Sequence, residues 1–252
     1  MSAPTNTVPT TEVLAIIPAY NEAEALPDFL VELESWTDDD QRTIHPVIVD
    51  DGSTDATAAI ARDHDATVLE LPFNLGVGGA VRAGLRYALA QEAEQVVIID
   101  ADGQHDPSDI RALLAALDNG ADMAIGSRFA DGSGDYDMGV TRRGAQRLLN
   151  YLVRKATGFR ATDATSGFRA FDRSVVSFLA DRYPVEYLAD TVEVIVLVQG
   201  AGLQVVEVPV GMRRRQGGTP SKGSFGLLFN YLRLLVGVAG TAVIGRSRRV
   251  HS

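Results

Sequence analysis

Three short, wholly apolar runs each carry the chain into a cluster of polar residues, and this recurrence constrains the fold more than any other feature. Val13-Leu14-Ala15-Ile16-Ile17 leads into Pro18-Ala19-Tyr20-Asn21-Glu22. Val47-Ile48-Val49 leads into Asp50-Asp51-Gly52-Ser53-Thr54-Asp55, and Val96-Val97-Ile98-Ile99 into Asp100-Ala101-Asp102-Gly103-Gln104-His105-Asp106. A helical stretch follows each. Apolar strands joined by helices imply an α/β fold with a mostly parallel, Rossmann-like sheet covered on both faces. Such sheets bind ligands outside the carboxyl ends of their strands. Three acidic or polar strand ends would then share one rim.

The third strand end carries the sharpest chemistry. Side chains two residues apart in an extended backbone project to the same side. Asp100 and Asp102 can therefore close on one hard cation, and Gly103 lets the chain turn away. Mg²⁺ or Mn²⁺ held by one or two carboxylates completes its shell with water and phosphate oxygens. Taken alone, an Asp-x-Asp after a buried strand is as often a turn former.

Bulk properties narrow the classes. The 252 residues suffice for one large α/β domain with a tail. A formal net charge of −10 argues against a nucleic-acid groove. With no cysteine, disulfides and thiolate metal sites are excluded. Residues 1–11 are polar and lack the apolar core of a secretory signal, and are expected to be a disordered lead-in. Basic residues gather in the second half, from Arg142 to Arg160 and from Arg213 to Arg249, which suggests an anionic ligand or surface there.

Helices are expected over Ala23–Trp36, Asp55–His64, Gly76–Gln91, Pro107–Leu117, Thr141–Thr157 and Thr191–Gly200, with Asp106 capping the fourth. A strand is expected at Ala121–Ile125, a short one within Asp163–Phe171, and an edge strand over Leu203–Val210. Phe129–Gly139 has the length and composition of an active-site flap. The domain is expected over residues 12–215. Residues 216–252 would form a basic loop and an apolar helix, Gly226–Gly245. Its uncharged run, Leu234–Ile244, is too short to span a bilayer. It would lie on a membrane surface, or pack against the domain or another subunit.

Other motifs are weaker. Asn74 to Gly84 is glycine-rich, but its spacing fails the dinucleotide fingerprint. Its glycines serve either a phosphate at a helix start or close helix packing. No P-loop or nucleophile elbow occurs, and the four histidines are scattered. Ser166-Gly167-Phe168-Arg169 and the stretch from Arg213 to Ser221 have the Arg and Gly content of anion sites.

In this order, Ile17-Pro18-Ala19-Tyr20-Asn21-Glu22, Asp50-Asp51-Gly52-Ser53-Thr54-Asp55, Asn74-x-Gly76, Asp100-Ala101-Asp102-Gly103-Gln104, Gly126-Ser127-Arg128 and Ser166-Gly167-Phe168-Arg169 resemble the family 2 glycosyltransferases of GT-A fold. The resemblance lies with the branch of dolichyl- or polyprenyl-phosphate mannose and glucose synthases, and covers about Val13 to Ser221. It implies a metal-dependent, inverting transfer of a hexose from a GDP- or UDP-linked sugar to a polyprenyl phosphate. Pro18, Tyr20, Glu22 and Asp51 would hold the base and ribose. Asp100, Asp102 and Gln104 would bind Mg²⁺ or Mn²⁺ on the diphosphate. Arg128 and Ser166 would sit near the sugar or the acceptor phosphate, and Glu193 near the donor sugar. Arg213 and Lys222 would contact phosphates.

Many relatives carry long transmembrane helices after the catalytic domain, and this chain has none of that length. A lipid acceptor would then be met by interfacial docking at the cytoplasmic membrane face, or through a small membrane partner protein. The same donor chemistry with a soluble saccharide acceptor, or nucleotide-sugar binding without turnover, are the alternative readings.

Overall fold

The computed structural model describes residues 12–38, 42–64, 66–130, 140–185 and 189–213. Among these residues seven strands form one sheet: β1 (Glu12–Ala19), β2 (Thr43–Asp50), β3 (Thr67–Glu70), β4 (Gln95–Ile98), β5 (Met123–Ser127), β6 (Arg169–Asp172) and β7 (Val205–Pro209). Their order is β3-β2-β1-β4-β6-β5-β7. The helices are α1 (Leu26–Glu34), α2 (Thr57–Asp63), α3 (Val77–Ala90), α4 (Ile110–Asp118), α5 (Val140–Thr157), α6 (Arg173–Leu179) and α7 (Ala189–Gly200), with a 3-10 turn at Pro107–Asp109.

The apolar runs form strands because their Val and Ile side chains suit a pleated surface buried on both sides. The period of two then divides each strand between two cores. Leu14, Ile16, Val47, Val49, Val96 and Ile98 pack into the layer built from α3, α5, α6 and α7. Val13, Ala15, Ile17, Ile48, Val97 and Ile99 face the opposite layer, with α1, α2 and α4. Each such Val, Leu or Ile side chain, when fully buried, contributes roughly 1.5–3 kcal/mol.

β1 pairs in parallel with β2 and β4, and β2 with β3. β5 and β7 are also parallel to each other. The exception is β6, antiparallel to both β4 and β5. This one reversal matters for the site. Arg169, the first residue of β6, lies opposite Ile98 and Ile125, near the carboxyl ends of their strands. The residues that precede β6 therefore lie on the same rim as those that follow β4.

Several expected boundaries shift. The first helix begins at Leu26 with Pro27 in its first turn, leaving Ala23 to the rim. The strand expected within Asp163–Phe171 is confined to Arg169–Asp172. β3 and α6 are additions to the expected elements. β3 is half-exposed and has no apolar run to mark it. The start of α6 does carry a signal: Asp172 caps it, accepting the Val175 N–H at 2.9 Å. Asp106 caps the 3-10 turn, as its place before Pro107 suggests, accepting the Ser108 N–H at 2.8 Å.

The glycines of α3 serve close packing. A side chain at Gly78 would collide with the Pro184 carbonyl, and a Cβ at Gly84 would lie 2.5 Å from Ile16 Cγ2. The lead-in 1–11, residues 131–139 of the expected flap, Lys222 and the unit expected at 216–252 lie outside the described residues. Among the described residues, no helix is long and apolar enough to cross a membrane. Gly84→Ala should destabilise the fold by about 1–3 kcal/mol through overpacking. Urea denaturation would show this as a lower midpoint with an unchanged slope.

Candidate active site

The loops at the carboxyl ends of β1 and β2 are stitched to each other. Asn21 adopts a left-handed backbone, φ 55°, which asparagine tolerates better than most residues. Its side chain accepts the Thr54 N–H at 2.8 Å, and its own N–H donates to Ser53 Oγ at 3.0 Å. The Glu22 N–H donates to Thr57 Oγ1 at 2.9 Å, and the Ala23 N–H to Asp55 Oδ2 at 3.2 Å. Pro18 is half-buried in β1 opposite Val49, and Tyr20 presents an exposed ring at the rim.

Asp51 is buried, and both of its oxygens are engaged. Oδ1 accepts the Leu75 N–H at 2.6 Å and Oδ2 the Gly76 N–H at 2.8 Å. Burial raises its pKa above the usual carboxylate range, and the two amide bonds only partly oppose this. The residue expected to hold base and ribose thus also anchors the loop between β3 and α3.

The ladder of β4 ends where the Ile99 N–H donates to the Ile16 carbonyl at 3.2 Å. Asp100 and Asp102 therefore do not share one side of an extended strand, as their spacing suggests. A turn closed by Gly103, at φ 70°, carries them instead. Asp102 is buried, and its Oδ1 accepts the Gln104 N–H at 3.0 Å. Asp100 is more open, and the space above it is kept clear by Gly167, where a Cβ would lie 3.6 Å from Asp100 Oδ2. Two carboxylates and a neighbouring carboxamide, with no sulfur, form a donor set that fits a hard divalent cation. Among the described residues no three His, Cys, Asp or Glu side chains converge on one point. A cation here would draw its remaining oxygens from water or from its ligand.

His105 backs this turn. Its ring packs on Phe168 with centroids 4.8 Å apart, and its Nε2 lies 3.9 Å from Asp100 Oδ2. Burial pushes the imidazole down to about 4, against the pull of Asp102 and with the help of the Arg128 charge. The ring is neutral at physiological pH.

A second set of side chains comes from β5, β7 and the segment before β6. The Arg128 guanidinium grips the wholly buried Asp163 with two bonds, Nε to Oδ2 at 2.5 Å and Nη2 to Oδ1 at 2.7 Å. Nη2 also reaches Thr165 Oγ1 at 3.2 Å. Glu207 fixes the backbone of that loop, accepting the N–H groups of Thr162 at 2.7 Å and Asp163 at 2.8 Å. Ser166 is buried beside it, its Oγ accepting the Phe168 N–H at 3.3 Å. Arg169 does not form the anion-binding fork expected of it. It is wholly buried, and its Nε and Nη2 donate to the carbonyls of Ser166 and Thr191, each at 2.9 Å. That bond ties the Ser166 loop to the start of α7, where Glu193 is half-buried.

Arg213, expected to contact a phosphate, is paired with carboxylates of the protein itself. Its Nη1 pairs with Glu32 at 2.7 Å and its Nη2 with Asp106 at 2.7 Å, while its N–H donates to the Gln104 carbonyl at 2.8 Å. The guanidinium is satisfied by two carboxylates and braces the turn that holds Asp102. Asp163 and Glu207 are the residues the sequence reading passed over. Glu207 left one signal, as the single acid in the otherwise apolar β7. Asp163→Asn should destabilise the protein by about 3 kcal/mol, because it leaves a largely buried guanidinium without its counter-charge. Thermal and urea unfolding of the variant would measure this.

Comparison with known proteins identifies the family and the fold. The family described as Glycosyl transferase family 2 matches residues 14–179. An uncharacterized protein of Methanocaldococcus jannaschii is 34% identical over 79% of this chain and 80% of its own length. The polyprenol monophosphomannose synthase of Mycolicibacterium smegmatis is 38% identical over 51% of this chain, which spans about half (49%) of that relative. Among solved structures, glucosyl-3-phosphoglycerate synthase from Mycobacterium tuberculosis, in complex with Mn²⁺, UDP and glucosyl-3-phosphoglycerate, has a TM-score of 0.68. At 20% identity, over 93% of this chain and 80% of that one, it attests the GT-A fold. Its sheet, its acidic rim and its sequence place the chain in glycosyl transferase family 2: it is a glycosyltransferase.

Proposed function

We propose that this enzyme transfers a hexose, mannose or glucose, from a GDP- or UDP-linked donor to a polyprenyl phosphate, with inversion at the sugar's anomeric carbon. The observation that carries the reading is the pairing of two unlike halves on one rim. One half presents the Asp100 and Asp102 carboxylates, and the other the Arg128 guanidinium fixed by Asp163. The named mannosyl relative, a polyprenol monophosphomannose synthase, supports the lipid acceptor.

Mg²⁺ or Mn²⁺ bound at Asp100 and Asp102, with Gln104 adjacent, would neutralise the diphosphate as it leaves. Tyr20, Pro18 and Glu22 line the rim where the base and ribose would lie, on a loop pinned by Asn21 and Thr57. Arg128 would hold the acceptor phosphate, its guanidinium oriented by Asp163 and Thr165. The half-buried Glu193 would face the donor sugar. A phosphate monoester has its second pKa at about 6, so its oxygen is largely ionised at neutral pH. That oxygen forms the new bond to the anomeric carbon while the bond to the diphosphate breaks. No proton has to be removed, and positioning does the work of a general base. The neutral, buried His105 and the scarcity of other histidines at the site suit such a reaction. The lipid acceptor would bring the protein to the cytoplasmic face of a membrane as a peripheral enzyme.

The test is donor turnover by the purified full chain with Mn²⁺ or Mg²⁺ and GDP-mannose or UDP-glucose, with and without a short-chain polyprenyl phosphate in detergent. Release of nucleoside diphosphate should require both metal and lipid phosphate. Release stimulated by a soluble saccharide, and indifferent to the lipid phosphate, would overturn the acceptor.

A further inference from the structure

Helix α5 carries five basic residues and no acidic one in its 18 residues, within a chain of net charge −10. Its inner face is ordinary. Leu149 and Val153 are buried in the layer shared with α7, and Gln146 and Asn150 hydrogen-bond the loop below. Its outer face is not. Arg147, Leu148, Tyr151, Arg154 and Lys155 are all exposed, at spacings that place them on one side of the helix. Leu148 is 47% exposed and Tyr151 53%. Lys155 Nζ lies 5.7 Å from the Tyr151 ring centre, so cation and aromatic form one patch.

A solvated helix face mixes both signs of charge and leaves out large apolar groups. A face for nucleic acid would use the cations but would gain nothing from an exposed leucine. Basic side chains around an exposed Leu and Tyr are the composition of a helix lying in a lipid interface. Tyrosine is enriched at headgroup depth, and nearby Lys or Arg is drawn to anionic lipid.

We infer that the outer face of α5 rests on an anionic lipid surface, with Leu148 and Tyr151 at the headgroup boundary and Arg147, Arg154 and Lys155 among the phosphates. The purpose of this contact, though not the contact itself, rests on the lipid acceptor proposed above. Gln146 Nε2 donates to Asp163 Oδ1 at 3.2 Å and Asn150 Nδ2 to the Thr162 carbonyl at 2.7 Å. The helix that touches the bilayer is thereby bonded to the carboxylate that orients Arg128. A lipid phosphate rising from that surface would meet the Arg128 half of the rim, while the donor half lies across β4.

The experiment uses the full chain and vesicles of phosphatidylcholine with or without phosphatidylglycerol. Wild-type protein should co-sediment with the phosphatidylglycerol vesicles, and the double variant Arg154→Gln, Lys155→Gln should bind roughly thirtyfold more weakly, at about 1 kcal/mol per charge. Because the sequence contains no cysteine, Leu148→Cys accepts a single environment-sensitive fluorophore. Its emission should shift to the blue on vesicle binding, whereas a label at Ala115→Cys, on α4 in the opposite layer, should not respond. No binding to these vesicles overturns the inference and leaves the face to an acidic protein partner. Binding that the double variant leaves unchanged, or that leaves the label at 148 in water, overturns it equally. Turnover of polyprenyl phosphate in detergent needs no bilayer, so failure of the acceptor reading and failure of this contact are read separately.

Discussion

A strand buried on both faces has no place for a charged side chain except at its ends. That constraint organises this protein. β1, β2 and β4 lie side by side in the sheet, flanked above and below by helices, and their interiors are Val, Ile, Leu and Ala apart from Pro18 in β1 and His45 and Pro46 in β2. Polar chemistry is displaced to where the hydrogen-bond ladders stop. Because these strands are parallel, the ladders stop on the same rim. Asn21, Asp51, Asp100 and Asp102 owe their proximity to that rule rather than to any direct attraction among them.

The reversal at β6 gives the rim its second character. An antiparallel strand inserted between β4 and β5 brings the segment before it, rather than the segment after it, to the rim. That segment holds Asp163 and Ser166, and Asp163 holds Arg128, which directly follows β5. Carboxylates suited to a cation thus face a guanidinium suited to a phosphate. The two are kept apart by separate anchors: Gln104 and Arg213 brace the Asp102 turn, and Glu207 braces the Asp163 loop. Without Asp163, the Arg128 guanidinium would lose the two bonds that orient it.

The sheet was legible because its signal is a sum over many residues of one kind. Runs such as Val13–Ile17 and Val96–Ile99 admit few other structures, and the polar residues that come after each run mark its end. The half-exposed β3 offered no such sum, and α6 rests on one capping aspartate. At the site, residue type was readable and partnership was not. Asp51 and Arg213 have the chemistry of ligand-binding groups, yet the structure commits Asp51 to the Leu75 and Gly76 amides and Arg213 to Glu32 and Asp106. Those bonds join residues 24 and 181 positions apart, which no local pattern encodes. Arg169 misled for the same reason, since its donors go to the backbone of Ser166 and Thr191. The spacing of Asp100 and Asp102 suggested one side of an extended strand, and a turn at Gly103 takes its place.

The proposed transfer requires the turn after β4 to hold a divalent cation together with a nucleoside diphosphate. Electron paramagnetic resonance of Mn²⁺ titrated into the protein, with and without GDP or UDP, tests it directly. Nucleotide should tighten Mn²⁺ binding in the wild type, and Asp102→Asn should abolish this while melting at an unchanged temperature. A folded Asp102→Asn variant that binds Mn²⁺ and nucleotide as the wild type does would contradict it.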